Sequence, residues 1–211
     1  TAYTAAEGLP GIRIEALYEA ADGTLWVSTD GGLARRVKDR FQQVALRGAQ
    51  GILADRLMGR QGIASNREGH LYLATNQGLL VGTPGALDVS FERIPQPAGL
   101  KLNGPDHLEV VSVFTDASGV IWYGCGTGLC KLDNGAATEV GMANGLPADR
   151  WEAILGDLDG NLWVRSAAAL YLRSAGSSRF EAHPGLPASS NTYPTLALDP
   201  STTPSARVQE Q

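Results

Sequence analysis

Residues 8–36 read GLPGIRIEALYEAADGTLWVSTDGGLARR, and residues 145–173 read GLPADRWEAILGDLDGNLWVRSAAALYLR. Two stretches so alike in one chain indicate a unit used more than once, and the repeat decides the fold. Working outward, the core signal occurs four times, as DGTLWVSTDGGLAR (22–35), EGHLYLATNQGLLV (68–81), SGVIWYGCGTGLCK (118–131) and DGNLWVRSAAALYL (159–172). The aromatic slot holds Trp26, Tyr72, Trp122 and Trp163, spaced 46, 50 and 41 residues apart. Gly23, Gly69, Gly119 and Gly160 keep those spacings, as do Leu33, Leu79, Leu129 and Leu170.

Each unit reads as four short antiparallel strands. In the first, a run over 14–20 turns at Ala21-Asp22-Gly23 into TLWVST (24–29). Asp30-Gly31-Gly32 then turns the chain into LARRV (33–37), and FQQVAL (41–46) is the expected fourth strand. Apolar and polar residues alternate only roughly, as in sheets covered on both faces. Four strands in 40–50 residues is the signature of a β-propeller blade, with the Trp or Tyr slot filling the gap between stacked blades. The expected fold is therefore all-β. Blades span about 8–50, 55–97, 104–143 and 145–184, a partial fifth covers 185–199, and a polar tail or linker covers 200–211. The surplus YPTLALDP favours a fragment of a larger wheel over the alternative, a closed four-bladed propeller.

Composition agrees. Apolar residues make up 43% and charged residues 18% of the 211, enough for a packed core. Gly contributes 26 residues and Pro 11 without a collagen period, which implies many tight turns. The net charge of −5 and the lack of a dense Lys/Arg cluster argue against a nucleic-acid surface. No apolar run approaches the roughly 20 residues of a spanning helix, so this segment makes no membrane contact of its own.

These residues resemble the two-component regulator propeller repeat, whose pattern is roughly G-L-P-S-N-x-V-x-x-I-x-x-D-x-x-G-x-L-W-x-G-T-x-x-G-L. Gly145, Leu146, Pro147, Ile154, Asp157, Gly160, Leu162 and Trp163 match it, as do Asp116, Gly119, Trp122, Gly124, Gly128 and Leu129. There are departures. The Gly-Thr pair is degraded, SAAAL replaces the glycine before Leu170, and the second copy lacks G-L-P and has Tyr72 for Trp. The resemblance implies a sensor region outside the inner membrane, of the kind found in hybrid histidine kinases and diguanylate cyclases. It further implies a periplasmic or extracellular location, tethering through a spanning segment outside this chain, and wheels usually of seven blades.

For chemistry, Cys125 and Cys130 flank GTGL in the turn between second and third strands. They read either as a disulfide across the hairpin or as buried free thiols; no zinc-ligand pattern surrounds them. DLDGNL at 157–162 looks like the start of a calcium loop, but its twelfth position is Ala168 rather than Glu, so it reads as a turn. His70, His107 and His183 lie far apart without metal spacing. No nucleophile elbow or phosphate loop is present. The expectation is no catalytic residue, no metal and no cofactor. What remains is a binding surface where loops leading into the first strands meet the turns between second and third strands. Arg13, Asp30, Arg60, Asn76, Thr127, Arg150, Asn191 and Tyr193 are its candidate residues, suited to a sugar or carboxylated small molecule. A homodimer formed through the propellers is the expected protein partner. The rival expectations are an interaction scaffold without a small ligand and a propeller lyase.

Overall fold

The computed structural model describes residues 2–48, 61–86, 88–97, 100, 109–184, 196–198 and 208–209. Blade 1 contains β1 (Ile14–Glu19), β2 (Leu25–Thr29), β3 (Gly32–Val37) and β4 (Arg40–Gln43) in a meander. After it comes β5 (Ala45–Arg47), then blade 2 with β6 (Ile63–Ser65), β7 (Leu71–Thr75), β8 (Gly78–Pro84) and β9 (Asp88–Arg93). Blade 3 contains β10 (Val110–Thr115), β11 (Ile121–Cys125), β12 (Gly128–Asp133) and β13 (Ala136–Val140). Blade 4 contains β14 (Ala153–Gly156), β15 (Leu162–Arg165), β16 (Leu170–Arg173) and β17 (Glu181–Ala182). A last pair, β18 (Ala197–Leu198) and β19 (Val208–Gln209), is antiparallel, so part of the stretch expected to be a polar tail is a strand.

The fourth strand of blade 1 is shorter than the sequence suggests. FQQVAL is split: β4 ends at Gln43, Val44 is buried, and β5 leaves the blade to pair in parallel with β9 of blade 2. The physical reason is that Leu46 finds apolar cover between the two blades, and Arg47 Nε donates to Asp88 Oδ2 at 2.5 Å. Blade 2 is thus a five-stranded sheet in the order β5-β9-β8-β7-β6.

The glycine of the Gly-Leu-Pro segment has a definite job. Gly8 and Gly145 have φ of +96° and +85°, and each ends a single 3-10 turn, at Ala5–Glu7 and Met142–Asn144. A Cβ on Gly8 would lie 2.0 Å from the Phe41 carbonyl oxygen, and one on Gly145 2.3 Å from that of Phe180. Only glycine meets both demands. Gly48, with φ of +77° and a Cβ position 2.5 Å from the Phe91 carbonyl oxygen, holds the same place before blade 2. The second copy therefore keeps this glycine although it lacks Leu-Pro after it.

The blades stack through their aromatic slots. Trp26 packs with Ile63, Leu71 and Leu73 of blade 2, and Tyr72 with Val110, Val113 and Tyr123 of blade 3. Trp122 packs with Ile154 and Leu162 of blade 4, and Trp163 with Leu196, just ahead of β18. Registers show that Leu17, Ile63, Val113 and Ile154 occupy one slot, opposite Val27, Leu73, Tyr123 and Val164. In blades 2–4 this slot is buried against the preceding blade; Leu17 is 61% exposed, so the outer face of blade 1 stays open there. A ring closed by four blades would bury it.

Polar links tie the blades near their inner edges. The Tyr18 hydroxyl and Ser65 Oγ are 3.0 Å apart, Val113 N donates to Gln61 O at 2.9 Å, and Ser112 Oγ donates to Trp151 O at 2.8 Å. Ile154 N donates to Gln61 Oε1 at 2.8 Å, spanning from blade 2 to blade 4.

Candidate functional site

Two loop families meet at one end of the blades. Asp30 N donates to Arg13 O, Gly126 N to Glu109 O, and Asp149 N to Thr127 O, each pairing a β2–β3-type turn with a loop leading into a first strand. The registers slip between Ile14 and Ala16 and between Val110 and Ser112, so a bulge opens the first strand of blades 1 and 3. Such bulges re-aim side chains. They present Arg13, Glu109 and their neighbours at this mouth.

Arg150 is the centre of the mouth's polar groups. Its Nε donates to Glu152 Oε1 at 3.0 Å, and a terminal nitrogen to Glu109 Oε2 at 2.9 Å. Glu109 precedes β10 of blade 3, so this ion pair crosses a blade boundary. Asp149 lies beside it, accepting from Ser166 Oγ at 2.5 Å and from Arg150 N at 2.7 Å. Burial pushes the Glu152 carboxyl above its ordinary range; Arg150 opposes that rise, while Asp149 and Glu109 add to it. One guanidinium among three carboxylates makes a partly buried, net acidic cluster rich in acceptors.

The other candidate residues are more dispersed. In blade 1, Arg13 Nε donates to Glu15 Oε1 at 2.6 Å, repeating the Arg150–Glu152 spacing, and Arg13 is mostly exposed. Asp30 Oδ1 accepts from Ile12 N and Arg13 N, at 2.9 and 3.1 Å, and so shapes the loop. Asn76 sits half-buried in the β7–β8 turn, its Oδ1 enclosed without a partner among the described residues. Thr127 is exposed in the β11–β12 turn. Arg60, Asn191 and Tyr193 lie outside the described residues. Sequence reasoning did not pick out Glu109, Asp149 and Glu152; the signal available was Arg two residues before Glu at both 13/15 and 150/152.

Cys125 and Cys130 form a disulfide, with Cα atoms 5.9 Å apart. The bridge is diagonal, because Cys130 is paired with Tyr123 and Cys125 with Gly128. All three side chains lie in the apolar layer between blades 2 and 3, where burial pushes the Tyr123 hydroxyl up to about 12. The histidines serve separate places: His70 Nδ1 is 3.3 Å from Asn66 Nδ2, His183 packs on Trp163, and His107 lies outside the described residues.

Residues 8–31 match the two component regulator propeller family. No curated protein is similar enough to match. Among solved structures, the chain is similar to the extracellular domain of BT4673 from B. thetaiotaomicron, described both as a hybrid two component system and as a one component system. Identity is 17% and the TM-scores are 0.63 and 0.64, over 89% of this chain and 25% of that one. It is likewise similar to the extracellular domain of BT3049 from B. thetaiotaomicron, assigned as a hybrid two component system, at 17% identity and a TM-score of 0.61 over 88% and 26%. A catalytically inactive virginiamycin B lyase from Staphylococcus aureus, solved with quinupristin, matches at 17% identity and a TM-score of 0.59 over 87% and 59%. At these identities the likeness concerns the fold, and the chain spans about a quarter of the extracellular domains it matches. Among the described residues no helix is long and apolar enough to cross a membrane. The chain is a β-propeller built of antiparallel four-stranded meanders, with β5 added to blade 2 as a fifth strand, and residues 8–31, which include β1 and β2, match the two component regulator propeller family.

Proposed function

We propose that this propeller is a ligand-sensing part of the extracytoplasmic region of a bacterial signalling receptor, a two-component or cyclic-di-GMP system, and is not itself an enzyme. The observation that carries this reading is the shared blade architecture with extracellular domains of hybrid two component systems, together with the family match at residues 8–31. The receptor would be periplasmic or extracellular and tethered by a segment outside this chain.

The mouth around Arg150, Glu109, Asp149 and Glu152 suits a carbohydrate or other small polar molecule. Carboxylates accept from hydroxyls, and the guanidinium donates to ring or carboxyl oxygens. Arg13, Asp30, Asn76 and Thr127 line the same end, and Arg60, Asn191 and Tyr193 belong to this proposal by their repeat positions. Binding would signal only if the ligand prefers one arrangement of paired propellers over another. Thermal-shift screening with neutral sugars, sugar acids and small carboxylates tests this. A rise in Tm with one class, diminished in Arg150→Ala, is expected. Silence across the panel, with a stable dimer by analytical ultracentrifugation, would move the reading to an interaction scaffold. The lyase likeness gives an enzyme its own test: turnover of quinupristin would overturn the sensor reading.

A further inference from the structure

The blades differ at one partly buried bond. In blade 3 the Trp122 indole Nε1 donates to Asp116 Oδ2 at 2.8 Å, and in blade 4 Trp163 Nε1 donates to Asp157 Oδ2 at 2.8 Å. The aspartate stands six residues before the tryptophan each time, at the end of the first strand. Blade 2 keeps a polar pair there, with Asn66 Nδ2 3.4 Å from the Tyr72 hydroxyl. In blade 1 the residue six before Trp26 is Ala20. Trp26 as a whole is only 4% exposed, but its Nε1 is not a sealed atom, and no hydrogen bond joins that Nε1 to a described residue.

The place left by the aspartate is open space. Ala20 and Trp26 both line a cleft of about 360 Å³ between blades 1 and 2, at the end of the blades opposite the mouth. Arg35 and Arg67 line it too. Arg35 is fixed by donating to Gln42 Oε1 at 3.1 and 3.2 Å, to Gly85 O at 3.3 Å, and to Ala86 O. Arg67 donates to Ala117 O at 2.7 Å. Both cations are thus held by neutral acceptors, and neither forms a salt bridge among the described residues. Asp22 and Glu68 also line the cleft; Asp22 Oδ1 is engaged by Thr24 N at 2.9 Å.

We propose that this cleft binds the carboxylate of a small organic acid of about monosaccharide size. The ligand's carboxylate stands in for the missing aspartate, accepting from Trp26 Nε1, with Arg35 and Arg67 supplying charge and further donors. The volume lies within the range of small-molecule sites. The inference rests on the cleft alone, so it does not depend on the receptor reading or on the mouth.

The indole Nε1–H resonances of chain labelled with ¹⁵N-tryptophan read it directly. Titration with galacturonate, and with acetate as a minimal carboxylate, should move the Trp26 signal saturably toward lower field, where the hydrogen-bonded Trp122 and Trp163 are expected. Galactose should leave it in place. Ala20→Asp restores the internal acceptor: its Trp26 signal should sit at lower field without ligand, and galacturonate should bind at least about tenfold more weakly. Arg35→Gln should also weaken galacturonate about tenfold while the free Trp26 resonance stays put. That second variant keeps the test decisive if Ala20→Asp folds poorly. A Trp26 signal unmoved by both carboxylates, or moved as far by galactose, overturns the proposal. So does wild-type affinity in Arg35→Gln.

Discussion

At the scale of single residues, the aspartate before each turn does several things at once. Asp157 Oδ1 accepts from Asp159 N and Asn161 N, at 3.0 and 2.8 Å, and its Oδ2 accepts from Trp163 Nε1 and Asn161 Nδ2, at 2.8 and 2.9 Å. The carboxylate that looked like a calcium ligand is therefore occupied by the turn and by the blade's aromatic anchor. Burial alone would raise the Asp157 carboxyl, but bonds from Trp163, Asn161 and Asp159 outweigh it and hold the group below its usual range. Asp116 behaves alike: burial raises it, while Ser118, Trp122 and the Val120 amide lower it further. A carboxyl lowered in the folded state binds fewer protons there than in the unfolded chain. Its contribution is full above the unfolded value and is lost as pH falls through the lower, folded one. Asp157→Ala should cost about 1–2 kcal/mol at pH 7, read by urea unfolding, and the difference from wild type should shrink toward pH 3. An equal difference at both pH values would count against this account.

At the scale of elements, the strands in register with the aromatic slots were legible in the sequence, because a packing slot between blades accepts only large apolar side chains. The glycines of Gly-Leu-Pro were legible as a pattern, though not their reason, which is the carbonyl of Phe41 or Phe180 lying against them. The departure of β5 was not legible: FQQVAL holds no Gly, Pro, Asn or Asp to mark a break, and only the cover offered to Leu46 by blade 2 ends the strand at Gln43. The mouth was half legible. Arg13 and Arg150 stand out by repeat position, but Glu109 belongs to another blade, 41 residues from Arg150, and no local pattern announces such a partner. The disulfide joins residues only five apart in sequence. Closing so small a ring removes little entropy from the unfolded chain, about 2 kcal/mol by the loop-closure relation. The double variant Cys125→Ala/Cys130→Ala should stay folded and lose no more than about 3 kcal/mol in urea titration, small against loss of a blade contact across several positions.

At the scale of the whole molecule, the blades form a chain of nearest neighbours rather than one shared core. Each apolar layer joins one blade to the next, and stability in such stacks is close to a sum of unit and interface terms. The slot shared by Leu17 and Ile154 measures this. Ile154 is fully buried under Trp122, and Leu17 lies on the open face of blade 1. Ile154→Ala should cost about 3 kcal/mol and Leu17→Ala less than about 1 kcal/mol, compared by denaturant midpoint in the same solution. A comparable loss at Leu17 would mean that something covers that face. The Cys125–Cys130 bridge lies in the layer between blades 2 and 3, with both sulfur-bearing residues almost wholly enclosed. Thiolate attack needs a clear line to a sulfur atom. A reductant therefore waits for that seam to part, and the bridge serves as a slow internal clock for how often two neighbouring blades breathe open.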